Sequence, residues 1–113
     1  MRIGFIGLGN MGTPMATKLV SAGYEVIGYD PKKNKIDGII HVDSVSKLAS
    51  NSNIIFTMLP SGTELKMVYE EIIPLAKSKT ILIDCSTVDV TTTQKLSAQA
   101  QSRYLSTLDA PVS

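Results

Sequence analysis

The stretch Arg2-Ile3-Gly4-Phe5-Ile6-Gly7-Leu8-Gly9-Asn10-Met11-Gly12 decides the fold. A strand-length apolar run ends in G-x-G-x-x-G, and apolar residues then recur at helical spacing up to Ala22, so the glycines occupy a strand-to-helix turn. Each has a separate physical reason in that context. Gly7 permits the tight turn, Gly9 lets the backbone approach a pyrophosphate, and Gly12 lets the helix lie close to the strand. The free N–H groups and positive dipole end of the helix then face the phosphates. A glycine-rich turn with no ligand would show the same spacing, so its partners must be sought further along the chain.

Working outward, short apolar runs at 2–6, 25–29, 39–42, 54–58, 80–84 and 104–109 read as strands. Between them, 10–22, 45–49, 63–76 and 91–102 carry helical periodicity, as in Leu65, Val68, Ile72 and Leu75. Nearly all-apolar strands separated by helices predict a parallel sheet covered on both faces, the doubly wound α/β (Rossmann) architecture with about six strands. Gly23 stops the first helix, Ser61 or Thr63 caps the third, and Pro60 closes the fourth strand. The segment Pro31–Asp37 leaves room for a stunted second helix only.

Length and charge set the outer limits. The chain has 113 residues with 11 basic and 10 acidic side chains, enough for one domain and its own core. A net charge of +1, with Lys32, Lys33 and Lys35 as the one local cluster, gives no basic face for nucleic acid or a membrane surface. No apolar run is long enough for a membrane helix, and the start at Met1-Arg2 leads straight into a strand instead of a signal peptide. A single cysteine, Cys85, fits a reducing compartment, and we expect a cytoplasmic protein.

A dinucleotide turn calls for an acidic residue about 20 residues on, at the end of the second strand, to accept hydrogen bonds from the adenosine ribose. Asp30 follows Val26-Ile27-Gly28-Tyr29 at that distance. A carboxylate there favours NAD by repelling the 2′-phosphate of NADP, although Lys32 and Lys33 could offset the repulsion and leave NADP use open. A cap or turn before Pro31 would also suit an aspartate. Enzymes using S-adenosylmethionine share a glycine loop and this acidic position, so the later strand ends must decide.

Those ends read Thr57-Met58-Leu59-Pro60, Ile83-Asp84-Cys85-Ser86-Thr87 and Asp109-Ala110-Pro111-Val112-Ser113. With Gly4-Phe5-Ile6-Gly7-Leu8-Gly9-Asn10-Met11-Gly12-Thr13-Pro14-Met15-Ala16 they form four ordered motifs, and over the whole chain the sequence resembles the 3-hydroxyisobutyrate dehydrogenase family of β-hydroxyacid dehydrogenases. The resemblance implies that Leu8 to Met11 contact the pyrophosphate through their backbone and that Asp30 meets the ribose. It further implies that Leu59 and Pro60 line the cofactor path, that Thr87 lies beside the nicotinamide, and that Ser113 faces the carboxylate of a small hydroxy-acid substrate. The chain departs from the family pattern at Lys18, Glu64 and Val90.

The family's proton acceptor is a lysine in a later Gly-x-Gly-x-x-x-Lys motif, which this chain lacks. No catalytic residue is therefore assigned within it. Residues 1–113 are expected to be a dinucleotide-binding domain truncated within the substrate motif, inactive alone, with homo-oligomer formation left to a full-length form. A non-catalytic dinucleotide-binding module, or an NADP-dependent glyoxylate or succinic-semialdehyde reductase of the same family, remain as alternatives. Other residues have plainer explanations. Cys85 reads as a small buried strand-end residue, and His41 as an edge-strand or surface histidine with no metal partners. Met11, Met15, Met58 and Met67 read as core or packing residues. Asp84 and Asp109 read as hydrogen-bonded to loop amides.

Overall fold

The computed structural model describes residues 1–30, 32, 35–86, 90–103 and 105–109, with the side chains of Val90 and Asp109 outside that description. The elements run β1 (Arg2–Ile6), α1 (Gly12–Ser21), β2 (Glu25–Tyr29), β3 (Ile40–His41), α2 (Val45–Ser50), β4 (Ile54–Thr57), α3 (Gly62–Ile72), β5 (Ile81–Asp84), α4 (Val90–Gln101) and β6 (Ser106–Asp109). The strands form one sheet in the order β3-β2-β1-β4-β5-β6, and every pairing is parallel. The expected doubly wound architecture is therefore present. Chain order reverses beside β1, which makes the carboxyl ends of β1 and β4 the switch point where such sheets bind ligands.

Burial follows strand parity. Ile6, Ile27, Ile55 and Leu82 point to the face covered by α2, α3 and α4, where they meet Leu48, Leu65, Ile72 and Leu96. Phe5 and Val26 point the other way and pack on Ala16 and Leu8, with Phe56 stacked on Phe5 at 5.7 Å between ring centroids. Two glycines let the layers meet. A Cβ at Gly4 would lie 2.6 Å from a Leu48 methyl, and one at Gly28 would lie 2.7 Å from an Ile39 methyl.

Register sets the rim of the sheet. Ile6 lies level with both Tyr29 and Thr57, Thr57 with Asp84, and Asp84 with Asp109, so the strand ends finish on one edge. Helix punctuation matches the sequence reading: Ser61 Oγ accepts from the Glu64 N–H at 3.3 Å, and the Gly23 N–H donates to the Val20 carbonyl after α1.

Two expectations require correction. No helix occupies the described residues between β2 and β3, which are turn and irregular backbone at 32 and 35–39. The span is too short for helix nucleation to be repaid by propagation. Instead, the His41 ring nitrogen Nε2 accepts from the Ile36 N–H at 2.8 Å and pins the segment. Strand β3 is also reduced to two residues at the edge of the sheet, where Ile40 and His41 pair with Ile27 and Gly28 of β2.

Candidate functional site

The glycine loop is held by contacts that leave its outer face open. Gly7 adopts φ +100°, donates its N–H to the Tyr29 carbonyl at 3.0 Å, and would place a Cβ 2.2 Å from the Met58 carbonyl oxygen. A Cβ on Gly12 would lie 1.8 Å from the Gly7 carbonyl oxygen, so no larger residue fits between strand and helix. Gly9 differs from both. Among the described residues nothing lies within 4 Å of the position its Cβ would take, and its φ is not positive. Neither their packing nor the backbone geometry asks for glycine there, whereas the approach of a phosphate would.

Helix α1 begins at this loop without a side-chain cap, Met11 occupying the N-cap position. By contrast, Ser44 caps α2 and Ser61 caps α3. The first N–H groups of a helix have no intrahelical acceptor, and those of α1 stand at the positive end of its dipole. Thr13 braces the turn from behind, its N–H donating to the Gly9 carbonyl and its hydroxyl to the Leu8 carbonyl, both at 3.0 Å. The Leu8 side chain is buried in the core cluster with Phe5, Ala16 and Val26 and anchors the loop there, which leaves only its backbone for a ligand.

In front of the loop lies a cleft of about 810 Å³. It brings together Gly7, Gly9, Asn10, Met11 and Gly12 with Asp30 from the end of β2 and with Leu59 and Pro60 from the end of β4. Thr87 and Ser113 lie outside the described residues. The Asp30 carboxylate accepts from the Lys32 N–H at 3.2 Å, and Lys32 itself lines the cleft beside it. The volume falls in the range of about 300–1,000 Å³ typical of cofactor sites. A glycine-walled anion end, a carboxylate at one side and apolar walls suit a dinucleotide.

The walls include residues the sequence reading did not select. Tyr29, Val45, Met58, Glu64, Met67 and Val68 complete the lining. Glu64, Met67 and Val68 lie at i, i+3 and i+4 on α3, so one helix face turns toward the cleft. That spacing was visible in the sequence, but it overlaps the core stripe of Leu65, Val68 and Ile72 and was absorbed into it. The methionine reading needs correction for the same reason. Met11 and Met67 are 51% and 60% exposed and face the cleft, Met58 both lines the cleft and packs against the core beside Phe5, and Met15 packs against that core.

Beyond the cleft, at the ends of β4 and β5, Asp84 Oδ1 accepts from the Thr57 hydroxyl at 2.9 Å and from the Ser86 N–H at 3.0 Å. Ser86 Oγ in turn accepts from the Leu59 N–H at 2.7 Å. Asp84 thus bonds a loop amide as expected, while the Asp109 side chain lies outside the description. Cys85 is buried beside them.

Comparison with known proteins agrees with this geometry. The family model for the NAD binding domain of 6-phosphogluconate dehydrogenase matches residues 2–113. A mitochondrial 3-hydroxyisobutyrate dehydrogenase of Mus musculus is 38% identical over 119 residues, covering 98% of this chain and 36% of the mouse protein. An NAD-dependent L-serine dehydrogenase of Pseudomonas aeruginosa is 33% identical over 120 residues, covering 99% of this chain and 40% of that protein. The solved structure of Mycobacterium tuberculosis 3-hydroxyisobutyrate dehydrogenase with L-serine superposes with a TM-score of 0.94 at 37% identity, over 99% of this chain and 40% of that one. The chain therefore spans about 40% of the length of such relatives. With the match running from residue 2 to residue 113, the chain belongs to the family of NAD-binding domains typified by that of 6-phosphogluconate dehydrogenase.

Proposed function

We propose that this chain forms the cofactor-binding part of an oxidoreductase that moves a hydride between a small 3-hydroxy acid and NAD. Gly9 carries the reading: it lines the cleft at an uncapped helix start and is a glycine that none of the described residues requires. The backbone from Leu8 to Met11 receives the pyrophosphate, while Gly7 and Gly12 set the turn that presents it. Asp30 accepts the ribose hydroxyls, and Leu59 and Pro60 form the wall along which the dinucleotide lies. The family resemblance alone assigns Thr87 to the nicotinamide and Ser113 to the substrate carboxylate, both being outside the described residues. The nicotinamide, when bound, accepts the hydride. The hydroxyl proton needs a separate acceptor, and no side chain of this chain is assigned that role.

A second reading, use of NADP, is favoured by Lys32, which lines the cleft next to Asp30 and could meet a 2′-phosphate. The one cysteine, reduced and buried, supports a reducing compartment such as the cytoplasm, and no helix among the described residues is long and apolar enough to cross a membrane.

The test is titration of the purified chain with NADH and NADPH by fluorescence and calorimetry, followed by assay with 3-hydroxyisobutyrate and L-serine. Binding of NADH without turnover is expected. Failure to bind either dinucleotide would sink the reading, and turnover would show that a proton acceptor has been missed.

A further inference from the structure

Three of the five buried polar side chains among the described residues, Thr57, Asp84 and Ser86, gather at the ends of β4 and β5. They form one chain of bonds, from the Thr57 hydroxyl and Ser86 N–H into Asp84 Oδ1, and from the Leu59 N–H into Ser86 Oγ. The other carboxylate oxygen, Asp84 Oδ2, is buried with no hydrogen-bond partner among the described residues, beside a cavity of about 220 Å³. A carboxylate at 3% exposure with one orphan oxygen is a costly way to fill a core, where an apolar residue of similar volume would do better. Its position has to be explained by what it holds.

What it holds is the wall of the cleft. Ser86 lies 27 residues from Leu59 in sequence, yet its hydroxyl oxygen fixes the Leu59 N–H at the point where the chain leaves β4. Asp84 fixes Ser86 in turn. Asp30, at the end of β2, marks the adenosine side of the cleft, and β4 and β5 lie on the opposite side of β1. From this geometry, and resting on the dinucleotide reading above, we propose that Asp84 and Ser86 are positioning residues for the nicotinamide half, acting through the Leu59–Pro60 wall. Without the Ser86 oxygen the buried Leu59 N–H has no acceptor, and the wall turns toward water to find one. A shift of about 1 Å there is enough to spoil the alignment of a reacting ring.

The experiment compares two ligands on the 113-residue chain by calorimetry: NADH, which touches both halves of the cleft, and 5′-AMP, which touches only the adenosine side. Ser86→Ala weakens NADH binding about tenfold and leaves 5′-AMP within about twofold, the loss expected for a buried donor left without its acceptor. Thr57→Val, close to isosteric, removes one donor to Asp84 and weakens NADH about threefold, which decides the matter if Ser86→Ala does not fold. Asp84→Asn retains the Oδ1 acceptor and recovers most of the NADH affinity lost in Asp84→Ala. Unchanged NADH binding in Ser86→Ala and Thr57→Val, or equal losses for NADH and 5′-AMP, overturns the proposal. Wild-type chain that binds neither ligand overturns the dinucleotide reading and this inference with it, whereas wild-type binding with indifferent variants overturns this inference alone.

Discussion

Asp30 and Asp84 are the same side chain at two strand ends in opposite surroundings. Asp30 closes β2, is half-buried, and opens onto the cleft with its carboxylate bonded to the N–H of Lys32 two residues on. Asp84 closes β5, is 3% exposed, and joins two strand ends through one oxygen. The first lines the open cleft and, on the proposed reading, meets the ribose. The second belongs to the scaffold that shapes what the ligand meets. A strand-end carboxylate therefore has no fixed role in this fold, and its neighbours across the sheet decide it.

The sharpest break of that comparison is in stability. Asp84→Ala leaves the Thr57 hydroxyl and Ser86 N–H without their acceptor and is expected to cost about 2–4 kcal/mol, whereas Asp30→Ala, which removes an exposed hydrogen bond, costs about 1. Urea unfolding of the two variants measures both, and equal losses would erase the distinction. The next effect is on ligand choice. Asp30→Asn removes the charge that repels a 2′-phosphate and is expected to lower the preference for NADH over NADPH about tenfold, with the unfolding midpoint unchanged. An unaltered preference in competitive titration would remove Asp30 from the site.

Gly9→Ala sharpens the same contrast within one loop. It should weaken NADH binding about tenfold without moving the unfolding midpoint, since the chain itself has room for the methyl group. A fall in stability would mean that Gly9 serves the fold, as Gly7 and Gly12 do. The smallest effect is at Ser61, whose oxygen caps α3 on the Asp84 side of the sheet. Ser61→Ala should cost about 1 kcal/mol in thermal unfolding and leave the ratio of NADH to 5′-AMP affinity unchanged.

Most of the architecture was legible because it depends on local pattern. Continuous runs such as Ile54-Ile55-Phe56 mark buried strands, and the spacing of Leu65, Val68 and Ile72 marks a helix wherever it is found. The glycine loop was equally readable, since strand, turn and helix are contiguous in sequence. The segment after Asp30 was not, because a single proline suggested a helix while the structure instead closes it with a side-chain bond, from the Ile36 N–H to the His41 ring, that no helical spacing signals. Met11 and Met67 were misread for a related reason. A methionine on a helix serves a core or an open apolar wall equally well, and only the placement of α3 beside the loop shows which.

The sequence by itself determined the alternation of strands and helices, the parallel sheet, the turn that opens α1 and the acidic end of β2, since each is set by residues close together in the chain. Tertiary structure alone decided the bonds that tie Ser86 to Leu59 and Asp84 to Thr57, the exposed face of α3, and the open side of Gly9. Hydrogen bonds and packing reach whichever strand lies next door, and the order β3-β2-β1-β4-β5-β6 places at one rim residues that the chain itself keeps 27 apart.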